Sequence, residues 1–135
     1  MSALETVGRA ALGWVFIQAG AGVLRNPGPP TQKAAPVLSM IRSAAPMEMP
    51  EDEVLVRLNA ATQVAAGSTL ALGVLPKLSA LALIGSLIPT TAGGHRFWEF
   101  EAGPERNTQR NHFLKNISIV GGLLHVLAMP RRRDE

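Results

Sequence analysis

The sequence predicts an all-α integral membrane protein, a bundle of four spanning helices in a single domain covering residues 1–135. Three observations carry that expectation. Only 17% of the residues are charged, where about a quarter is usual for a soluble domain. Asp, Glu, Lys and Arg are absent from residues 10–24, 58–76, 78–95 and 116–130, runs of 15, 19, 18 and 15 residues. The breaks between those runs carry prolines and charge clusters. A surface helix in water shows a charge every turn or two on its outer face, so four such runs point to lipid as the solvent. A soluble alanine-rich bundle is the alternative, but it would have to bury every helix on all sides, which a chain this small cannot do.

The first span is expected over residues 3–24. It reaches the roughly 20 residues a membrane needs only if Arg9 is included, with its charge sent to the interface. Arg9, Gly13, Phe16 and Gly20 share one face, and small residues on one face let membrane helices approach closely. Pro27, Pro29 and Pro30 forbid continuation. Glu5 precedes the apolar run and no basic segment opens the chain, so this helix is expected to be retained rather than cleaved as a leader.

The first loop, residues 25–49, is long for a compact protein. Val37, Leu38, Ile41, Ala44 and Ala45 recur at helical spacing beside Arg42. They suggest a short amphipathic helix lying in the membrane interface, against the alternative of an irregular loop bounded by prolines.

The second span is expected over residues 54–75. Pro50, Glu51, Asp52 and Glu53 suit a helix start. The few residues of "LPKLS" then turn the chain into a third, antiparallel span over residues 78–94, with Pro89 near its end. A charged and aromatic loop follows, whose Phe97, Trp98 and Phe100 suit the headgroup level. The fourth span covers residues 110–129 and closes on "PRRRDE".

Three blocks, "GRAALGWVFIQAG", "AGGHRFWEF" and "NHFLKNISIVGGLL", are individually short. In this order and at these separations they resemble the DoxX family of small bacterial four-helix membrane proteins, over nearly the whole chain. The resemblance carries Arg9 and Gly13 in the first block and His95, Phe97 and Trp98 in the second. In the third it carries Phe113, Lys115, Asn116, Gly121 and Gly122. It implies a multi-pass protein of the bacterial inner membrane. Some members look like membrane subunits of quinone-linked sulfur oxidoreductases, and others are associated with redox or oxidative-stress complexes. Family membership alone does not establish activity.

The residues themselves narrow the chemistry. With no cysteine, a thiol redox step would need a partner's thiols. Ser68, Ser79, Ser86 and Ser118 lie in apolar helices without a histidine at triad-like spacing. His95 and Glu99 are two ligands at most, too few for a metal site. No acidic residue stands within the charge-free core of a span, against carboxylate-coupled transport. The basic balance, net charge +3, is spread out, against nucleic-acid binding.

Alternating spans gather Arg57, Asn59, His95, Trp98, His112, Lys115 and Asn116 at one membrane face. Gln63 lies one turn below Asn59. Arg9 completes the candidate set on the strength of the resemblance. Lys115, Ser118, Gly122 and His125 fall on one polar or small face of the last span, expected to pack inward. Two readings stand for these groups. They are hydrogen-bonding glue between helices, or they form a polar pocket under the Trp98 loop for a ligand such as a quinone headgroup. The function expected is therefore a membrane anchor or accessory subunit of a partner complex, with a quinone-binding subunit or a purely structural packing protein as alternatives. Homo-oligomerisation is compatible with either.

Both termini are expected in the cytoplasm, with "RRR" at 131–133 as an anchor to anionic lipid. The opposing loops carry more bases, but they are longer and therefore weigh less in the positive-inside rule.

Overall fold

The computed structural model describes residues 2–130. The basic run at 131–133 lies outside them. The described residues form five α-helices and one 3-10 turn, with no strand.

Helix α1, Ala3–Arg25, opens on a reciprocal cap in which the Ser2 hydroxyl accepts from the Glu5 backbone and the Glu5 carboxylate accepts from the Ser2 amide. It stops just before Pro27, where the Asn26 amide still bonds the Gly22 carbonyl. The prolines end α1 as expected, and a second helix begins at once. Helix α2, Gly28–Ala44, starts on Pro29 and Pro30 and runs for 17 residues, through Pro36. Prolines suit a first turn because its amides have no helical acceptor, so the segment read as a stop is a stop followed at once by a start. The expected interfacial helix is thus longer than its apolar spacing indicated. Leu38 is buried, but Met40 and Ile41 face outward.

Helix α3, Asp52–Leu72, begins after Pro50, with Asp52 and Glu53 in its first turn. The Arg42 guanidinium ties α2 to this start, 2.8 Å from Asp52 and 2.8 Å from the Pro50 carbonyl. Gly73 ends α3 at φ 74°, and its amide reaches the Leu70 and Thr69 carbonyls. Leu75 is also left-handed, at φ 47°, which is costly for a branched residue. It is followed by Pro76 at the start of α4, Pro76–Gly94. After the 3-10 turn Phe97–Glu99, helix α5 runs from Pro104 to Ala128. It starts six residues before the expected 110, because Pro104 and Glu105 make a favourable first turn.

Helices α1 and α3 are antiparallel and nearly touch backbone to backbone. A Cβ added at Gly20 would lie 2.5 Å from the Ala60 carbonyl oxygen, and one at Gly67 would lie 2.8 Å from that of Gly13. Side-chain contacts between residues 69 and 79, 91 and 116, and 12 and 122 set α4 against α3 and α5 against α4 and α1. Directions therefore alternate along α1, α3, α4 and α5. The N-terminus, the 73–75 turn and the end of α5 share one end of the molecule, called here the terminal end. Helix α2 and the 95–103 connection lie at the other, the loop end.

The apolar core is small. Phe16, Leu70, Leu83, Leu87, Leu123 and Val126 meet in it, with Leu12 and Ile119 at its margin. Among the described residues nineteen large apolar side chains are exposed instead, among them Leu4, Val7, Trp14, Leu78, Leu81, Ile88, Leu114, Ile117 and Leu124. By length and composition one helix among the described residues, α1, is long and apolar enough to cross a membrane. Helices α3 and α5 open on charged turns.

Gly13→Ala and Gly67→Ala should each lower stability by about 1–3 kcal/mol through overpacking. Gly121→Ala, with open space around it, should be neutral or gain up to about 1 kcal/mol of helix propensity. Thermal unfolding of the three variants in detergent checks the contrast.

Candidate functional site

The polar residues of the bundle collect in a layer across α3, α4 and α5. At its centre is Thr90, one residue past Pro89. Its hydroxyl accepts from Asn59 Nδ2 at 3.0 Å and from Gln63 Nε2 at 3.3 Å, and donates to the Ser86 carbonyl at 3.0 Å. A hydroxyl has one proton and two lone pairs, so Thr90 is fully used. Beside it, Asn116 is buried and donates from Nδ2 to Thr91 Oγ1 at 2.9 Å. Lower down, the Thr69 and Ser79 hydroxyls meet at 2.7 Å and close the α3–α4 turn.

One turn above Thr91 stands His95, whose backbone amide caps the Thr91 carbonyl at 3.0 Å. Its ring stacks on His112 of α5, centroids 5.0 Å apart. Its Nδ1 lies 2.9 Å from Gln109 Oε1. That oxygen can only accept, so Nδ1 carries the proton. Burial pushes the His95 imidazole below its ordinary value, the Gln109 bond opposes the shift, and His112, Lys115 and Lys33 add to it. Alongside, Phe97, Trp98 and Phe113 form an edge-to-face cluster with centroids 5.3 to 6.0 Å apart. Trp98 is half exposed.

The residues expected at one membrane face separate into three groups. Asn59, Gln63 and Asn116 belong to the threonine layer. His95, His112, Trp98 and Lys115 belong to the loop end above it. Arg57 belongs to neither, because it is exposed and paired with Glu53 at 2.9 Å, one turn back on the same helix. Arg9 lies at the terminal end, and the expectation that it reaches out to water fails. It is 5% exposed because its face, shared with Gly13, Phe16 and Gly20, is the one that packs on α3.

The inward face expected on the last helix is also corrected. Lys115, Ser118 and His125 are exposed, and of that set only Gly122 packs, against Leu12. The buried stripe is Asn116, Leu123 and Val126. The Ser118 hydroxyl bonds its own helix at the Leu114 carbonyl, which removes the need for an inward partner.

Thr90, Thr91 and Gln109 were missed. A paired threonine just after a proline, at the depth of Asn59 and Asn116, was the available signal. Glu99 pairs with Arg96 at 3.1 Å, not with His95. Among the described residues no group of three or more metal-type side chains forms. Two open hollows, about 530 and 510 Å3, lie beside Arg42 and the 45–53 connection, away from the histidines.

The sequence model of the DoxX family matches residues 4–96, well over half the chain. The chain belongs to the DoxX family. The match runs from α1 to the residue after His95, so the part of the resemblance carried by Lys115, Asn116, Gly121 and Gly122 lies beyond it. No curated protein and no solved structure matches the chain.

Two outcomes follow from this DoxX protein's polar groups. Thr91→Val and Asn116→Leu should each cost roughly 1 kcal/mol, and a double-mutant cycle should return a coupling of about 0.6 kcal/mol or more. Additive effects would mean that the bond does not contribute. For His95 the folded state disfavours the proton. Above the ordinary 6.5 both folded and unfolded chains are neutral, and nothing is lost. As the pH falls below that value, the unfolded chain binds the proton first and stability drops, until the folded imidazole protonates too. Melting temperature should therefore fall on acidification, and His95→Gln should shrink that fall.

Proposed function

We propose that α1, α3, α4 and α5 span the bacterial plasma membrane, with α2 in the interface at the loop end and both termini in the cytoplasm. The chain acts there as a non-catalytic anchor or accessory subunit of a partner complex, redox-linked as the family resemblance implies. The carrying observation is the inverted distribution of polarity. Leu78, Leu81 and Ile88 on α4, and Leu114, Ile117 and Leu124 on α5, face outward. Gln63, Ser79, Ser86, Thr91 and Asn116 lie inside. Water would favour the reverse, and monomeric soluble proteins rarely expose apolar patches beyond a few hundred Å2. The four helices have 23, 21, 19 and 25 residues. At about 1.5 Å per residue the shortest reaches roughly 28 Å, close to the roughly 30 Å hydrocarbon core.

The accessory role follows from what the interior does with its polar groups. Asn59, Gln63 and Asn116 donate to threonines, and the hollows beside Arg42 do not reach them. The quinone alternative draws less support for the same reason, since the amides that would hold carbonyl oxygens are engaged within the bundle.

The chain lacks cysteine, so single cysteines report topology cleanly. In intact cells Glu101→Cys should react with an impermeant maleimide and Ser2→Cys should not, until the cells are permeabilised. Reaction of both, or of neither, in intact cells overturns the four-span arrangement. For the role, the chain purified alone should leave a soluble quinone analogue unreduced by thiols or sulfur donors. Turnover by the isolated chain would make it an enzyme instead.

A further inference from the structure

The loop end holds basic side chains that the fold leaves unpaired. Three of its arginines are neutralised locally: Arg42 by Asp52, Arg57 by Glu53, Arg96 by Glu99. The bases around His95 are not. Among the described residues Lys33 and Lys115 have no acidic partner within ion-pair distance. They come from different helices. Lys33 is on α2, which is held there by the packing of Ala34 and the Lys33 carbonyl against Gly93 of α4. Lys115 and His112 are on α5, and His95 follows α4. We infer that this cluster is a binding site for the phosphate of an anionic lipid headgroup, held by Lys33, Lys115, His112, His95 and the amide of Gln109. The inference rests on the membrane reading above.

The geometry fits an oxyanion in three ways. Gln109 turns its oxygen to His95 Nδ1, which leaves its NH2 as an unused donor. With Nδ1 engaged by Gln109, His95 Nε2 is the ring atom left for a ligand, and it becomes a donor once the ring is protonated. The charges acting on His95 are all cationic, from His112, Lys115 and Lys33. A bound anion relieves that repulsion, whereas a neutral carbonyl ligand would leave it in place. The location suits a lipid, because the half-exposed Trp98 with Phe97 and Phe113 marks the headgroup level beside it. Exposed lysines at a span end are an open edge site, reached from the bilayer without entry into the bundle.

The test uses the full chain in nanodiscs of phosphatidylcholine, with and without phosphatidylglycerol. Native mass spectrometry reads the lipids retained on release. The parent should retain phosphatidylglycerol preferentially. The double variant K33Q/K115Q should reduce that preference roughly 25-fold, at about fivefold per base near an anionic surface. K33R/K115R should keep most of it, and Arg57→Gln should change it little. Equal loss in Arg57→Gln, or none in K33Q/K115Q, overturns the site. Inorganic phosphate is added to the chain in neutral detergent as a separate arm, read by the His95 imidazole 15N titration. If it raises the His95 midpoint in a Lys33- and Lys115-dependent way while the nanodiscs give no phosphatidylglycerol preference, the lipid assignment is overturned. A chain that enters nanodiscs but ignores headgroup charge refutes this site and leaves the membrane reading standing. A chain that stays in aqueous solution without lipid or detergent refutes both.

Discussion

The close approach of α1 to α3 fixes the rest of the bundle. With glycine at 13, 20 and 67, carbonyl oxygens of one helix lie where side chains of the other would be. Helices that pack this way have no room to rotate. Rotating α1 would bring Phe16 or Trp14 into a space sized for hydrogen. The inward face of α1 is therefore Arg9, Gly13, Phe16 and Gly20, and Leu4, Val7 and Trp14 are sent outward. Phe16, beside the glycines on that face, becomes the large side chain around which Leu70, Leu83, Leu123 and Val126 gather. A core with so few large residues supplies limited apolar burial in water. In lipid, where dispersion packing and interhelical hydrogen bonds drive association, the same core is sufficient.

Much of this was legible in the sequence. Charge-free runs and prolines gave the four long helices to within a few residues at most ends, and the spacing of Arg9, Gly13, Phe16 and Gly20 gave the packed face of α1. The errors share a cause, which is that polarity was read as direction. Lys115, Ser118 and His125 are polar, and polar residues in a span were expected inward. A lysine near a helix end reaches water, however, and a serine satisfies itself on its own backbone, so neither reports on packing. Asn116 does report, because a short amide has no such escape, and it is the buried one. Arg9 has a long side chain like Lys115, but its position on the glycine face decided its burial. Thr90 and Thr91 were harder to single out for a related reason. Threonine bonds its own helix so readily that its local pattern does not separate a bystander from a hub, and only the depth it shares with Asn59 and Asn116 does.

The polar layer also explains how the two ends of the molecule can differ. Apolar contacts at the terminal end are non-directional, so they hold the helices together without strictly fixing their depth. Sliding α3 along α4 by one turn, about 5.4 Å, would separate the Thr69 and Ser79 hydroxyls near that end. At Thr90 the same slide would break bonds from both Asn59 and Gln63, leaving the buried Gln63 amide and the half-buried Asn59 amide without partners. The layer and the Thr69–Ser79 contact together set register.

Its position just past Pro89 is consistent with that role. The proline has no amide to give the Gly85 carbonyl, which weakens α4 one turn below the layer. Thr90, bonded to α3, and Thr91, bonded to α5, hold the helix on both sides of that weak point. Because the His95 amide caps Thr91, the histidine pair inherits its placement from the layer. Fixing the depth of α3 against α4 therefore also fixes where the cationic cluster sits relative to the rest of the bundle.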